Sequence, residues 1–171
     1  MLLYHFSEDP SIKKFVPLPH PTKSEMPPVV WAIDEEHAPH YFFPRDCPRV
    51  VFSKSDKLSK EDERLFFSQT SASKVIAVES RWISRIQQTT LYQYTFDSAG
   101  FELYDAIAGY YISRFTAVPL AVEPLENLLD CLTRADVELR ITPDLNPLRD
   151  EIISSTLDNF SIIRFQNASK R

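Results

Sequence analysis

The chain opens on an alternation of apolar and polar residues. "LLYHFS" (2–7) reads as a short strand, and "EDP" ends it with two acids and a proline. Alternation puts His5 and Ser7 on one face and Tyr4 and Phe6 on the other, with the aromatic pair expected to face the core. "VVWAI" (29–33), "PRVVFS" (48–53) and "KVIAVE" (74–79) read as further strands. In "TLYQYTF" (90–96), Tyr92, Tyr94 and Phe96 share one face, and Leu91, Gln93 and Thr95 share the other. "FELYDAIAGYYIS" and "AVPLAVE" read as two more strands. "KEDERLFFSQ" (60–69) is helical with acids leading, and "SRWISRIQQ" (80–88) gives one or two helical turns.

The last part of the chain changes character. "PLENLLDCLTRA" is helix, "VELRITP" strand, "NPLRDEIISSTL" helix and "FSIIRF" strand. Leu148, Ile152 and Ile153 recur at helical spacing, and Leu157 continues the stripe. This order predicts an α+β fold around a mixed, largely antiparallel sheet, with helices concentrated in the C-terminal third. A length of 171 residues fits a single globular domain, 1–171.

Two segments resist regular structure. Residues 16–28, "VPLPHPTKSEMPP", hold five prolines and predict an extended ordered loop or a flap. "DEEHAPHYFF" begins like a helix, with acids at its start, but Pro39 limits it to a turn or so.

Composition narrows the function classes. The net charge is -5. Residues 1–60 hold eight acids and eight bases, and residues 131–171 hold six of each. The excess lies in 61–130, with ten acids against five bases. A sequence-independent grip on nucleic acid needs clustered cations, and this footprint is missing from the sequence. The N-terminus lacks the basic and apolar blocks of a leader, and no run of 18 apolar residues occurs, so no membrane span is expected. Cys47 and Cys131 lie 84 residues apart, outside any C-x-x-C spacing. They read as free thiols of a cytoplasmic protein. Only two glycines occur, Gly100 and Gly109. Walker loops, dinucleotide fingerprints and G-x-S-x-G elbows all need more.

All four histidines, His5, His20, His37 and His40, fall in the first 40 residues. The block "WAIDEEHAPHYFFPRDCPR" adds Asp34, Glu35, Glu36, Tyr41, Arg45, Asp46 and Arg49. His37 and His40 are three apart, and Glu36 or His5 could complete a metal set, but Pro39 disturbs the helix such a pair would ride on. Cys47 in "RDCPR" has cations beside it and could act as a nucleophile with a histidine, or could be a half-buried thiol before a strand. No spacing selects a pair among the 24 acids for acid–base work.

"LYHFSEDP", "VWAIDEEHAP" with "YFFPRDCPRV", and "YTFDSAGFELYDAIAGYYIS" resemble, over nearly the whole chain, an uncharacterised bacterial family common in Bacillus relatives. That resemblance implies no activity. "LYHFS" also resembles the early "YH-x-[ST]" strand of ADP-ribosyltransferases of the His–Tyr–acid type. This likeness implies NAD as a possible substrate, or another small-molecule nucleotide. His5 and Ser7 would bind ribose, Tyr41 would stack on nicotinamide, and Arg45 would join the binding residues. Glu123 in "AVPLAVEP" would be the catalytic acid, although no local motif fixes it. The rival expectation is a non-enzymatic binding or regulatory module. It would contact a protein through loop 16–28 and exposed aromatics such as Tyr110 or Tyr111.

Overall fold

A computed structural model describes residues 1–170. Its strands are β1 (Leu2–Ser7), β2 (Val30–Ile33), β3 (Arg49–Ser53), β4 (Lys74–Glu79), β5 (Leu91–Asp97), β6 (Glu102–Asp105), β7 (Tyr110–Ser113), β8 (Ala121–Leu125), β9 (Glu138–Thr142) and β10 (Phe160–Ile163). Its helices are α1 (Lys60–Phe67), α2 (Ile83–Gln88), α3 (Leu128–Arg134) and α4 (Asn146–Ser154). The fold is α+β and mostly sheet. Two of the four described helices lie in the last third, and α1 and α2 precede it. No helix among the described residues is long and apolar enough to cross a membrane.

The chain divides into two compact units, each made of two separate stretches. The first comprises Met1–Phe42 and Thr90–Glu126, the second Phe43–Thr89 and Asn127–Arg171. The first holds a six-stranded antiparallel sheet in the order β6-β7-β2-β1-β5-β8. The second holds a sheet ordered β10-β3-β4-β9, in which β4 and β9 run parallel, and all four helices.

In the second unit the core gathers Val50, Phe52, Phe66, Phe67, Val75, Ala77, Leu145, Ile152 and Leu157. The helix stripe is narrower than the sequence suggests. Ile152 is buried, but Ile153 points into solvent. Helix α1 starts at Ser59, whose Oγ accepts the Asp62 N–H at 3.1 Å, and three acids occupy its first turn. Both features complement the exposed amides of a helix start.

In the first unit, strand register decides which side chains share a face. His5 pairs with Tyr94 and Leu3 with Phe96. Tyr4 pairs with Ile33, and Ile33 pairs with Tyr110. The Leu3–His5–Ser7 face therefore carries the cluster of Leu3, Ala32, Tyr94 and Phe96, packed by Phe15, Tyr92, Tyr111 and Ala117. Tyr4 and Phe6 share the other face with Trp31, Ile33 and Tyr110. Tyr4 and Phe6 are half-buried like His5 and Ser7, so neither face of β1 is the core face alone. The strand lies inside the sheet, and both its faces carry apolar neighbours, so alternation alone cannot rank them. The segment 101–113 is also a β6–β7 hairpin rather than one strand. Asp105 Oδ1 accepts the N–H groups of Ile107 and Ala108, and Gly109 turns the chain with φ +71°.

Candidate functional site

The turn after β1 accounts for Ser7. Its Oγ accepts the Asp9 N–H at 3.1 Å, and Asp9 Oδ1 accepts from the Ser11 N–H at 2.8 Å. Tyr94 locks the same turn by donating its hydroxyl to the Asp9 carbonyl and accepting the Ile12 N–H at 3.2 Å. His5 donates from Nδ1 to the Trp31 carbonyl at 3.0 Å, and its ring lies 4.8 Å from that of Phe15. Phe15 in turn packs on Tyr94 and Phe96.

The expected transferase constellation is not gathered. Tyr41 hydrogen-bonds Tyr110 through their hydroxyls, and neighbouring Phe42 packs on Phe6. Both contacts lie on the Tyr4–Phe6 face. Glu123 pairs with Gln93, which itself pairs with Phe6, so it belongs to that face too, exposed on the edge strand β8. His5 and Ser7 occupy the opposite face. A sheet one strand thick separates the supposed ribose donors from the supposed stacking ring and acid. Arg45 is exposed in the second unit.

A polar cluster does form around the histidines. Asp34 Oδ1 accepts from His37 Nδ1 at 2.6 Å and from the His37 N–H at 2.9 Å. The His40 ring stands 5.3 Å from that of His37, and both residues are buried. The Asp34 N–H donates to the Gly109 carbonyl at 3.1 Å. Asp34 thus fixes the loop and the imidazole together, capping the turn through the N–H three residues on. Among the described residues no group of three or more His, Cys, Asp or Glu stands close enough to hold a metal ion.

Cys47 is buried, and burial pushes its thiol up to about 12 despite Arg49 and Arg85 nearby. The thiol form prevails at neutral pH, which contradicts the activated nucleophile. Tyr110 and Tyr111, expected as exposed aromatics, are half-buried. Tyr104 and Phe115 are the aromatics that reach solvent.

Loop 16–28 is ordered by specific contacts. Leu18 bridges Val29, the His20 ring meets Trp31 at 5.7 Å, and Lys23 Nζ donates to the Tyr104 hydroxyl at 2.9 Å. Just before it, Phe15 and Ala117 form an antiparallel bridge, N–H to carbonyl both ways at 2.8 and 2.9 Å. Segments 13–18 and 115–120 are thereby tied at this one bridge into a short ribbon, while Leu18 pairs with Val29 and the Leu120 N–H donates to the Thr95 carbonyl. Its inner residues, Phe15 and Ala117, pack on the Leu3–Tyr94–Phe96 cluster. Val16, Leu18, Phe115, Val118 and Leu120 each keep more than half their surface in solvent, and Phe115 keeps 75%. Sequence reasoning named loop 16–28, which supplies Val16 and Leu18, but missed the 115–120 segment, although a signal existed. "VPL" occurs twice, at 16–18 and 118–120, each time one residue after an inward-facing partner of the bridge.

The chain is an α+β fold built mainly of sheet, with apolar side chains exposed around the Phe15–Ala117 bridge. It belongs to DUF6886, a family of unknown function, whose family model matches residues 4–168. No curated protein and no solved structure matches the chain.

Proposed function

We propose that the protein is a contact module that binds another protein surface through the outer side of the 13–18/115–120 ribbon. One observation carries this reading. Five large apolar side chains are exposed on the two segments joined by the Phe15–Ala117 bridge, whose bridging residues already pack on the core. An apolar surface that adds nothing to the fold favours aggregation in an isolated chain, and such patches mark contact sites. Pro17 and Pro119 support the reading, because each removes a backbone donor and keeps the ribbon from growing into a sheet. Cys47 and Cys131 form no disulfide, which agrees with a cytoplasmic setting.

The apolar probe bis-ANS tests this at about 1 µM protein, dilute enough to disfavour weak association. The wild-type chain is expected to enhance its fluorescence, and Phe115→Ser with Val118→Ser to remove about half or more of the signal. Equal fluorescence from both proteins would overturn the reading.

A further inference from the structure

We propose that residues 167–169 occupy, in cis, a peptide-binding site of the second unit, and that this site takes the matching stretch of an Asn-Ala-x peptide in trans. The inference is independent of the ribbon.

The site stands at one end of the second sheet. β4 and β9 run parallel and finish together, with Glu79 paired to Thr142. β3 starts at the same end, since Arg49 pairs with Val78. The buried polar side chains described in this unit, Arg49, Glu79 and Asn146, all gather there. Burying such groups costs stability unless each finds a partner. In open α/β sheets the carboxyl ends of parallel strands are where ligands sit.

Here the partner is a piece of main chain. Glu79 Oε1 accepts the Ser169 N–H at 2.9 Å, and Asn146 Nδ2 donates to the Ser169 carbonyl at 2.8 Å. Arg81 Nη2 donates to the Asn167 carbonyl at 2.6 Å. Three side chains from separate parts of the unit thus hold the backbone of two residues. Main-chain hydrogen bonds of this kind give a peptide site its grip, and contacts to side chains give it selectivity. Two such contacts exist. Asn167 Nδ2 donates to the Asp46 carbonyl at 2.8 Å. Ala168 keeps only 7% of its surface in solvent, so a larger residue there must displace its neighbours. The contacts described at Ser169 are to its main chain. The pattern read is therefore an asparagine, a small residue, and then any residue with an N–H.

The stretch can leave without unfolding the unit. Phe165 is the anchor, packed on the core with Arg149 4.5 Å from its ring. Beyond it Ala168 is the one apolar side chain, and the rest of the hold is hydrogen bonding that water can replace. Local opening of such a segment takes less free energy than global unfolding.

Amide hydrogen exchange of the wild-type chain, followed by NMR, tests the proposal. The Ser169 N–H is expected to exchange by local opening, about a hundredfold or more faster than the amides of Val75 to Val78 in β4. The peptide Ac-QNASK-NH2 at ~5 mM should capture the opened site and speed Ser169 exchange about tenfold, with β4 exchange unchanged within about threefold. Peptides with leucine for the asparagine, or phenylalanine for the alanine, should have no effect. A Ser169 amide that exchanges only with global unfolding, a peptide without effect, or three peptides acting alike would each overturn the proposal.

Discussion

Gly109→Ala is expected to lower the melting temperature by about 10 °C, corresponding to a loss of about 3 kcal/mol. Two costs combine. Gly109 holds φ +71°, a left-handed conformation that strains an alanine. A Cβ there would also stand 2.3 Å from Nδ1 and 2.4 Å from Cγ of His37. The ring cannot swing aside cheaply. Asp34 Oδ1 holds both its Nδ1 and the His37 N–H, and the Asp34 N–H is in turn tied to the Gly109 carbonyl. A double-mutant cycle separates the two costs. In a His37→Gly background the ring and the Cβ that a Gly109 side chain would meet are both gone, and Gly109→Ala should cost only about 1 kcal/mol, the backbone part. Equal costs in both backgrounds would show that the His37 contact is not the cause.

The second large effect concerns Glu79, which is fully buried in the second unit. Its Oε2 accepts from Arg81 Nε at 2.8 Å, and its Oε1 accepts from the Ser169 N–H at 2.9 Å and the Leu145 N–H at 3.4 Å. One carboxylate thus joins the end of β4, the start of α4 and the C-terminal segment. Glu79→Ala strands two backbone donors and is expected to cost about 3 kcal/mol, measured by urea unfolding. Burial alone would raise the Glu79 pKa, but the hydrogen bonds from Ser169, Arg81 and Leu145 outweigh it and hold the carboxyl below the usual glutamate range. The sign follows. Folding favours the ionised form, so the contribution is complete above the unfolded value, about pH 4.3, and is lost as pH falls toward the lower folded value. Asp62 and Asp158 behave alike, held low chiefly by Thr156 and by Ser55 respectively. The wild-type chain should therefore lose stability steeply below about pH 4, and Glu79→Ala should flatten that slope. An unchanged slope would remove Glu79 from this role.

The same geometry explains what was legible in the sequence. Strands such as β1, β4 and β5 declare themselves by alternation and by β-branched runs, and the acid-led start of α1 is equally plain. The division into two units was hidden, because each unit joins stretches far apart in the chain, such as β1 with β5. The faces of β1 were hidden for a different reason. Leu3 is fully buried on the side of His5, and Ile33 is buried on the side of Tyr4, so apolar content does not mark one face as the core. The expected His5–Tyr41–Glu123 cleft came from the resemblance of "LYHFS" to the transferase strand, and the register takes it apart. The Asp34–His37 pair was within reach of sequence alone, since an acid three residues ahead of a proline-limited turn suits a side-chain cap. The ribbon was harder, because its two segments lie about a hundred residues apart and only the repeated "VPL" hints at their pairing.

The account places Val16, Phe115 and Val118 outside the fold's own needs, on a surface kept for contact. Urea unfolding of a Val16→Ser, Phe115→Ser, Val118→Ser triple variant tests this most directly, at about 1 µM where association contributes little. Exposed positions change stability by about 0.5 kcal/mol or less each, so the triple variant should stay within about 1.5 kcal/mol of the wild-type chain. A loss of about 3 kcal/mol or more, the scale of deleting core side chains, would show that these residues hold the first unit together and would contradict the account.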